Sequence, residues 1–384
     1  MLEEAIMRIR ALVTQSRSFR VAVIAAALVY GMGNCQAVQA SSGTEGAAFL
    51  DIPVGAEPAA LGSAYTPLAV DAYAPVWNPA GLGWLDGNQV AGQHVAYLES
   101  MHYEFLSFVH PLGDQRDSST HRGVGFSAQY FGSGDITGTD VSGNPTGTFS
   151  SHYGSYNFAY GQTFGERLAV GLTGKWINAQ IDDVSANAFA ADLGSLYKVN
   201  DKLRLAATLM NIGSTLKFLS SGDSLPLAFH VGGAYELNTH WLFTAEGVYP
   251  KTGLAAFHAG GEWRPVESVS LRAGYKTDTL DGLSALAGFT TGIGLHFMGQ
   301  EFAYAWAPYG DLGSAQYFSL LVRFGGREEE KRNLIQYQTI KPQRAVKSQD
   351  KNGAEPEYQQ LMQLLGDDDN QHYAQSTRPA SLEK

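Results

Sequence analysis

The sequence predicts an all-β fold: a transmembrane antiparallel β-barrel of about 14 strands with an N-terminal plug segment inside the lumen. Three observations support this. Charged residues make up only 16% of the chain, glycine and tyrosine are abundant (44 and 19 residues), and apolar and polar residues alternate with period two over most of the length. After residue 32 no apolar run approaches the roughly 18 residues of a membrane helix. A soluble β-sandwich or propeller is the alternative that this composition leaves open.

The first 40 residues are typical of a cleaved signal peptide. An apolar run of 12 residues, Val21–Met32, is too short to span a bilayer, and Val38–Ala40 supplies small residues for cleavage before Ser41. The positive region holds Arg8, Arg10, Arg17 and Arg20. Cleavage would remove Cys35, the single cysteine of the sequence, so we predict no disulfide or thiol chemistry in the mature chain. Met1 and Met7 are alternative start residues.

Residues 41–86 are predicted to form the plug segment, because Pro and Gly occur in them too often for a full strand or a long helix. Small residues such as Ala59, Ala60 and Ser63 allow close backbone approach. An irregular backbone at membrane depth is tolerated only where protein or a lumen surrounds it. We therefore expect this segment to lie inside the barrel, and an exposed linker is the alternative.

Residues 87–324 read as the barrel. Val269, Leu271 and Tyr275 alternate with polar or small residues, as expected when one face contacts lipid and the other faces a lumen. The longer connections 132–148, 181–186, 214–225 and 277–283 are predicted to be external loops. Predicted strands start near Asn88, His102, Gly123, Ser150, Arg167, Asn187, Lys202, Pro226, His240, Leu254, Glu267, Gly288, Glu301 and Ala315.

The last strand has an apolar face that ends in an aromatic residue, which resembles the sequence by which the barrel assembly machinery recognises outer-membrane barrels. That face consists of Phe318, Leu320, Val322 and Phe324. Residues 325–384 are rich in charged residues and Gln and are predicted to be a mostly disordered periplasmic tail. A short helix at 357–365 places Tyr358, Leu361 and Leu365 on one face. This helix is either transient or a docking element for a periplasmic partner.

The sequence contains no catalytic motif, so we predict that the protein is not an enzyme and that it has no cofactor or metal site. The formal net charge of −11 argues against binding to nucleic acid. Polar residues on two adjacent predicted strands are expected to cluster on the lumen face: His258, Glu262, Arg264, Arg272 and Lys276. They form either a satisfied polar lining or a contact for a ligand or the plug.

The stretch G-A-x-P-A-A-L-G-S-A-Y-T-P-L-A-x-D-A-x-x-x-x-W-N-P-A-G-L, within residues 49–85, resembles the N-terminal signature of the PorV/PorQ family. That family belongs with the FadL-type fourteen-stranded outer-membrane barrels. The signature positions are Gly55, Gly62, Asp71, Trp77, Asn78, Pro79 and Gly81. The chain departs from the family at Glu57, where a basic residue is usual, and at Val70, where the family has the first of two Asp.

The resemblance implies a Gram-negative-type outer membrane location and two alternative functions. PorV-like members pass secreted cargo proteins on in type IX secretion, with cargo or secretion-system subunits as partners. FadL-like members are passive channels that let a hydrophobic ligand enter the barrel and leave sideways, gated by the N-terminal segment. The first is the main expectation and the second the alternative. Outer-membrane lipid and the barrel assembly machinery are expected partners in either case.

Overall fold

The computed structural model describes residues 45–113, 120–278 and 285–326, and its architecture confirms the predicted antiparallel β-barrel. Fourteen strands form a closed barrel in which each strand pairs antiparallel with its neighbours, and the first strand pairs with the last. The strands are β1 Asn88–Ala96, β2 His102–Leu112, β3 Arg122–Thr139, β4 Pro145–Phe164, β5 Leu168–Ile181, β6 Val184–Lys198, β7 Leu203–Gly213, β8 Thr215–Phe218, β9 Ser221–Ser224, β10 Ala228–Asn238, β11 Trp241–Pro250, β12 Ala256–Val266, β13 Val269–Lys276, β14 Phe289–Phe297, β15 Gln300–Pro308 and β16 Ser314–Phe324. β8 and β9 form a separate hairpin, so β7 pairs with β10 in the wall.

The outer face of the barrel is apolar, as the period-two pattern predicts. On β4, Phe158 is 62% exposed, whereas its neighbours Asn157 and Ala159 are buried. Because large apolar side chains are exposed in this way around the barrel, water is a poor solvent for the outer face and lipid is a good one. Among the residues that the structure describes, no helix combines the length and the apolarity that crossing a membrane requires.

The predicted strand starts agree with the structure, and the largest difference is at β4, which begins at Pro145 instead of Ser150. β3 and β4 are also longer than predicted, with 18 and 20 residues. They continue to pair beyond the register of β2, up to Thr139 opposite Pro145. The local sequence pattern does not reveal this extension of β3 and β4. A hairpin that continues beyond the membrane keeps its cross-strand hydrogen bonds whether or not its side chains alternate between apolar and polar.

The two ends of the barrel differ in their connections. At one end, the short-turn end, the strands join through turns at 165–167, 199–202 and 298–299, and β1 begins and β16 ends there. The opposite end, the long-loop end, carries loops such as 97–101 and 251–255. Three predicted long loops are corrected. Residues 132–148 lie mostly in β3 and β4, with only the turn 140–144 between them. Residues 181–186 contain only a two-residue turn between β5 and β6, and residues 214–225 contain the β8–β9 hairpin.

Residues 45–87, called the inner segment below, lie against the inward-facing side of the strands. They contain two short helices, α1 Ala56–Ala60 and α2 Ala74–Trp77, and two 3₁₀ helices, Ala48–Asp51 and Pro79–Trp84. Further 3₁₀ turns lie between strands at Ala285–Gly288 and Gly310–Leu312. The main hydrophobic cluster is built jointly from the inner segment and the barrel wall. The fold therefore has its core where a channel would have its pore.

Glycines on the inner face of the wall make this packing possible. A Cβ at Gly274 of β13 would lie 2.1 Å from the backbone nitrogen of Gly62. A Cβ at Gly161 of β4 would lie 2.3 Å from the carbonyl oxygen of Pro79. Since real Cβ atoms do not approach so closely, only glycine allows the inner segment to contact the wall backbone at these positions.

The β8–β9 hairpin lies at the long-loop end, next to the start of the inner segment. The Gly46 amide donates to the carbonyl oxygen of Ser224 at 2.9 Å. Leu216 is buried. The predicted signal peptide at 1–40 and the predicted tail helix at 357–365 lie outside the described residues.

Candidate functional site: two cavities separated by the inner segment

The lumen contains two cavities on opposite sides of the inner segment. The outer cavity, of about 620 Å³, lies at the long-loop end and is lined by residues of the inner segment and of the loops at 250–256 and 277–278. The inner cavity, of about 740 Å³, lies at the short-turn end and includes turn residues His240, Glu267 and Gly299. Residues between Gly55 and Leu82 fill the space between them.

The outer cavity has a largely apolar wall. Its apolar lining residues are Leu50, Ile52, Pro53, Val54, Val76, Trp77, Met210, Pro226, Val248, Pro250 and Leu254. The polar residues of its lining include Asp51, Lys175, Asn211, His230 and His258. An enclosed, mostly apolar cavity with a few polar groups is the usual form of a small-molecule site.

Asn78 of the signature connects the inner segment to the wall. Its Nδ2 donates to the carbonyl oxygens of Thr66 and of Ser195 on β6, each at 3.1 Å. Its Oδ1 accepts from the amide of Ala80 at 3.2 Å, which caps the following 3₁₀ helix. The side chain is fully buried, so its hydrogen bonds replace water that the site excludes.

The other signature side chains hold turns of the inner segment. Asp71 accepts from the Tyr65 hydroxyl at 2.6 Å and from the Tyr73 amide at 2.9 Å. Trp77 Nε1 donates to the carbonyl oxygen of Val54 at 2.8 Å. The signature therefore specifies how the segment folds on itself.

The signature glycines and Pro79 occupy positions where backbone atoms meet. Gly55 and Gly62 have φ angles of 96° and 65°, a region that favours glycine. A Cβ at Gly81 would lie 1.6 Å from the carbonyl oxygen of Ala69. Pro79 begins the 3₁₀ helix that packs on β4 and β5.

Glu246 of β11, which sequence reasoning missed, is a second anchor. It accepts from the amide of Thr66 at 3.1 Å and also from the Thr66 hydroxyl. Its other oxygen lies 2.7 Å from Nδ1 of His230 on β10. Glu246 is almost completely buried, and no local pattern distinguishes it from a solvated strand residue.

The five lumen residues predicted on β12 and β13 form two groups. Near the short-turn end, Glu262 pairs with Arg272 of the neighbouring strand at 2.7 Å and with Arg264 of its own strand at 2.6 Å. His258 and Lys276 lie opposite each other near the long-loop end, where both approach Asp278. The backbone at Leu61 and Gly62 docks between the groups, against Gly260 and Gly274.

Arg272 is the centre of the first group. Besides Glu262, its guanidinium contacts Glu301 of β15 at 2.8 Å and Glu57 of the inner segment at 3.3 Å. Burial raises the pKa of the Glu57 carboxyl and Arg272 opposes this rise. Arg272 thus joins three carboxylates, two of which, Glu57 and Glu301, the sequence analysis did not select as partners.

A third cluster of buried polar side chains lies near the end of β7, where its pairing with β10 stops. Lys175 Nζ lies 2.7 Å from Asp192 and donates to Asn211 Oδ1 at 2.7 Å. Asn211 has a φ of 61° at a bulge between β6 and β7, and its Nδ2 donates to the carbonyl oxygen of Pro226 at 2.9 Å. Asn tolerates this backbone region better than most residues, which is the only sequence signal that could have found it.

The residues of the predicted assembly sequence lie on the outward face of β16. Phe318, Leu320 and Phe324 are exposed and Val322 is partly exposed. This position leaves the face available to lipid, and recognition by the assembly machinery stays a prediction. In the described part of the chain, no group of three or more His, Cys, Asp or Glu side chains could hold a metal ion.

Replacing Asn78 by Ala should lower the free energy of unfolding by about 1–3 kcal/mol, because it leaves buried backbone groups without a hydrogen-bond partner. Urea unfolding of the detergent-solubilised barrel, followed by gel mobility of the folded form, measures the loss. Asn178→Ala is the matched control, since Asn178 makes an exposed hydrogen bond with Asn187. Equal losses for the two variants would show that Asn78 does not anchor the segment.

A closed barrel of fourteen antiparallel strands with an apolar outer face defines a transmembrane β-barrel protein. Residues 17–191 match the model of a family described as an uncharacterised protein family, UPF0164. The match covers less than half of the chain. No curated protein sequence matches.

Solved structures with a similar barrel include the toluene transporter TbuX of Ralstonia pickettii, with a TM-score of 0.51, 15% identity, and coverage of 71% of this chain and 98% of that one. The toluene transporter TodX of Pseudomonas putida matches with a TM-score of 0.46 and 16% identity, over 70% of this chain and 96% of that one. A Pseudomonas aeruginosa FadL homologue matches with a TM-score of 0.45 and 11% identity, over 70% of this chain and 98% of that one. The likeness to TbuX shows the fold alone. The PorV/PorQ assignment stays a prediction, since none of these matches carries that name.

Proposed function

We propose that this protein is a non-enzymatic outer-membrane channel through which small hydrophobic molecules pass passively. This is the second of the two functions that the resemblance implies. The observation that carries the proposal is the outer cavity, whose volume of about 620 Å³ and mainly apolar lining suit a small hydrophobic ligand. The fold that the chain shares with a toluene transporter supports it.

The inner segment acts as the gate in this proposal. A ligand bound in the outer cavity contacts Ile52, Val54 and Trp77 of the segment. The inner cavity, on the other side of the segment, is lined by four arginines and several acidic residues, so it offers a polar surface. Passage therefore requires the segment to shift or the wall to open beside the outer cavity.

The secretion role rests on the signature resemblance alone. The signature residues of the described chain are engaged in folding and docking the inner segment. A platform for cargo proteins would need an exposed docking surface, and those signature residues are buried. The channel is for this reason the better supported of the two functions.

Filling the outer cavity should block binding of a hydrocarbon such as toluene. Val248 of β11 lines the cavity, whereas Ala245 on the same strand is exposed on the outer face. Val248→Phe is expected to lower toluene affinity about tenfold or more, while Ala245→Phe leaves it unchanged. Calorimetric titration of the protein in lipid nanodiscs measures binding, with empty nanodiscs as the reference.

Uptake tests the function itself. Vesicles with lipopolysaccharide in the outer leaflet, with and without the protein, are compared for toluene influx. We expect faster, saturable influx with the wild-type protein and a slower rate with Val248→Phe. Influx that does not depend on the protein would contradict the channel, whatever the binding data show.

A further inference from the structure

Three of the donor side chains that line the outer cavity are engaged within the protein. Lys175 is paired with Asp192 and Asn211, and its charge is balanced there. The Asn211 amide donates to the carbonyl oxygen of Pro226. Gln129 Nε2 donates to the Tyr103 hydroxyl at 2.7 Å. A ligand that must accept hydrogen bonds, such as a carboxylate, finds these donors already used.

His258 lines the same cavity and carries a buried polar atom without a partner among the described residues. The residue is 4% exposed, and its Nε2 lies 3.2 Å from the Asp278 carboxylate. Because that carboxylate only accepts, the proton of the neutral ring resides on Nε2. Nδ1 is buried and has no partner among the described residues.

Asp51 of the inner segment is an acceptor that is accessible from the cavity, and Glu45 beside it is partly buried. Asp51 is exposed to the cavity and makes no hydrogen bond or ion pair with another residue of the described ranges. Oε1 of Glu45, which also lines the cavity, is buried and likewise unpartnered among those residues.

The environment of Asp51 disfavours an isolated charge. Desolvation by burial and the nearby Glu45 raise the pKa of Asp51 to about 7, although His230 and Lys175 oppose this rise. A cationic group beside the carboxylate would offset both effects. Trp77, in the same lining, adds an aromatic surface that suits a cation.

From these groups we infer that the outer cavity selects hydrophobic molecules that carry a positively charged, hydrogen-bond-donating head, such as arylalkyl amines, over hydrocarbons and carboxylates. The apolar body packs on residues such as Leu50, Ile52 and Val248, and the ammonium group meets the Asp51 carboxylate. The inference rests on the proposed channel function and names its substrate class.

Three phenylalkyl probes that differ in the head group test this selectivity: the phenylethylammonium ion, propylbenzene and 3-phenylpropanoate. Titration calorimetry of the full-length protein in nanodiscs is expected to show phenylethylammonium binding about tenfold to a hundredfold tighter than either other probe, as expected for hydrogen bonds to a charged group. Equal or tighter binding of propylbenzene or of 3-phenylpropanoate would overturn the inference.

Asp51→Asn is expected to reduce the affinity for phenylethylammonium about tenfold and to bring the ratio between the amine and propylbenzene toward one. Asp311→Asn is the matched control, because Asp311 is an exposed loop residue outside the cavity lining. An unchanged ratio in Asp51→Asn would contradict the role of this carboxylate.

The outcomes separate this inference from the channel function. If propylbenzene binds and is taken up without preference for the amine, the selectivity is wrong and the channel stands. If none of the three probes binds and none is taken up, both proposals fail.

Discussion

Replacing Arg272 by Met is expected to lower the free energy of unfolding by about 3–5 kcal/mol, because it leaves a buried ionic cluster without its central cation. Glu262 and Glu301 have side chains that are 1% and 4% exposed. Without Arg272, the Glu301 carboxylate loses its nearest guanidinium partner, and the Glu262 carboxylate loses one of its two arginine partners. With nothing to oppose desolvation, Glu57 takes up a proton and loses its attraction to β13.

Urea unfolding of the barrel in lipid vesicles, followed by tryptophan fluorescence, measures this loss. Arg264→Met is the matched control: the Arg264 side chain is 48% exposed, and Glu262 retains Arg272 when Arg264 is removed. We expect a change of at most about 1 kcal/mol for this exposed pair. Equal losses for the two variants would show that the Arg272 cluster is not a unit.

Replacing Gly171 by Ala is expected to displace the inner segment and open the barrel to ions. A Cβ at this position of β5 would lie 2.2 Å from the carbonyl carbon of Pro79. The contact is with backbone, so the clash cannot be relieved by a side-chain rotation. Such overpacking typically costs about 1–3 kcal/mol, and movement of the segment is the available relief.

Single-channel recording in planar bilayers tests this result, with a several-fold rise in conductance expected relative to the wild type. Gly174→Ala is the matched control on the same strand, because a Cβ there meets nothing within 4 Å and the residue lies on the exposed face. Heat-modifiable gel mobility shows whether each variant folds. A folded Gly171→Ala barrel with wild-type conductance would contradict the proposed plugging.

Much of the barrel wall could be predicted from the sequence because strand alternation is a local property. Val269 and Leu271 alternate with Ser270 and Arg272 whatever the rest of the chain does. The structure places Arg272 inward and Leu271 outward, as that pattern predicts. The β3–β4 extension and the β8–β9 hairpin were not predicted, since the same alternation and turn residues occur in and out of the membrane.

The partners within the lumen could not be predicted, because they join distant parts of the chain. Glu57 meets Arg272 and Thr66 meets Glu246, and nothing in either local sequence marks the other. The sequence shows that glycine is abundant. Which glycines face the inner segment, such as Gly171 and Gly274, depends on the register in which the segment docks.

The amino-acid sequence by itself determined the barrel, its strand number and its two faces, because the choice between lipid and lumen repeats every second residue and needs no knowledge of distant contacts. It also marked residues 49–85 as unsuited to a strand or a long helix. Only the tertiary structure decided how the lumen is divided. The two cavities, the ionic cluster at Arg272 and the polar groups around Asp51 and His258 arise where the inner segment meets the wall, and closure of the chain into a barrel brings those surfaces together.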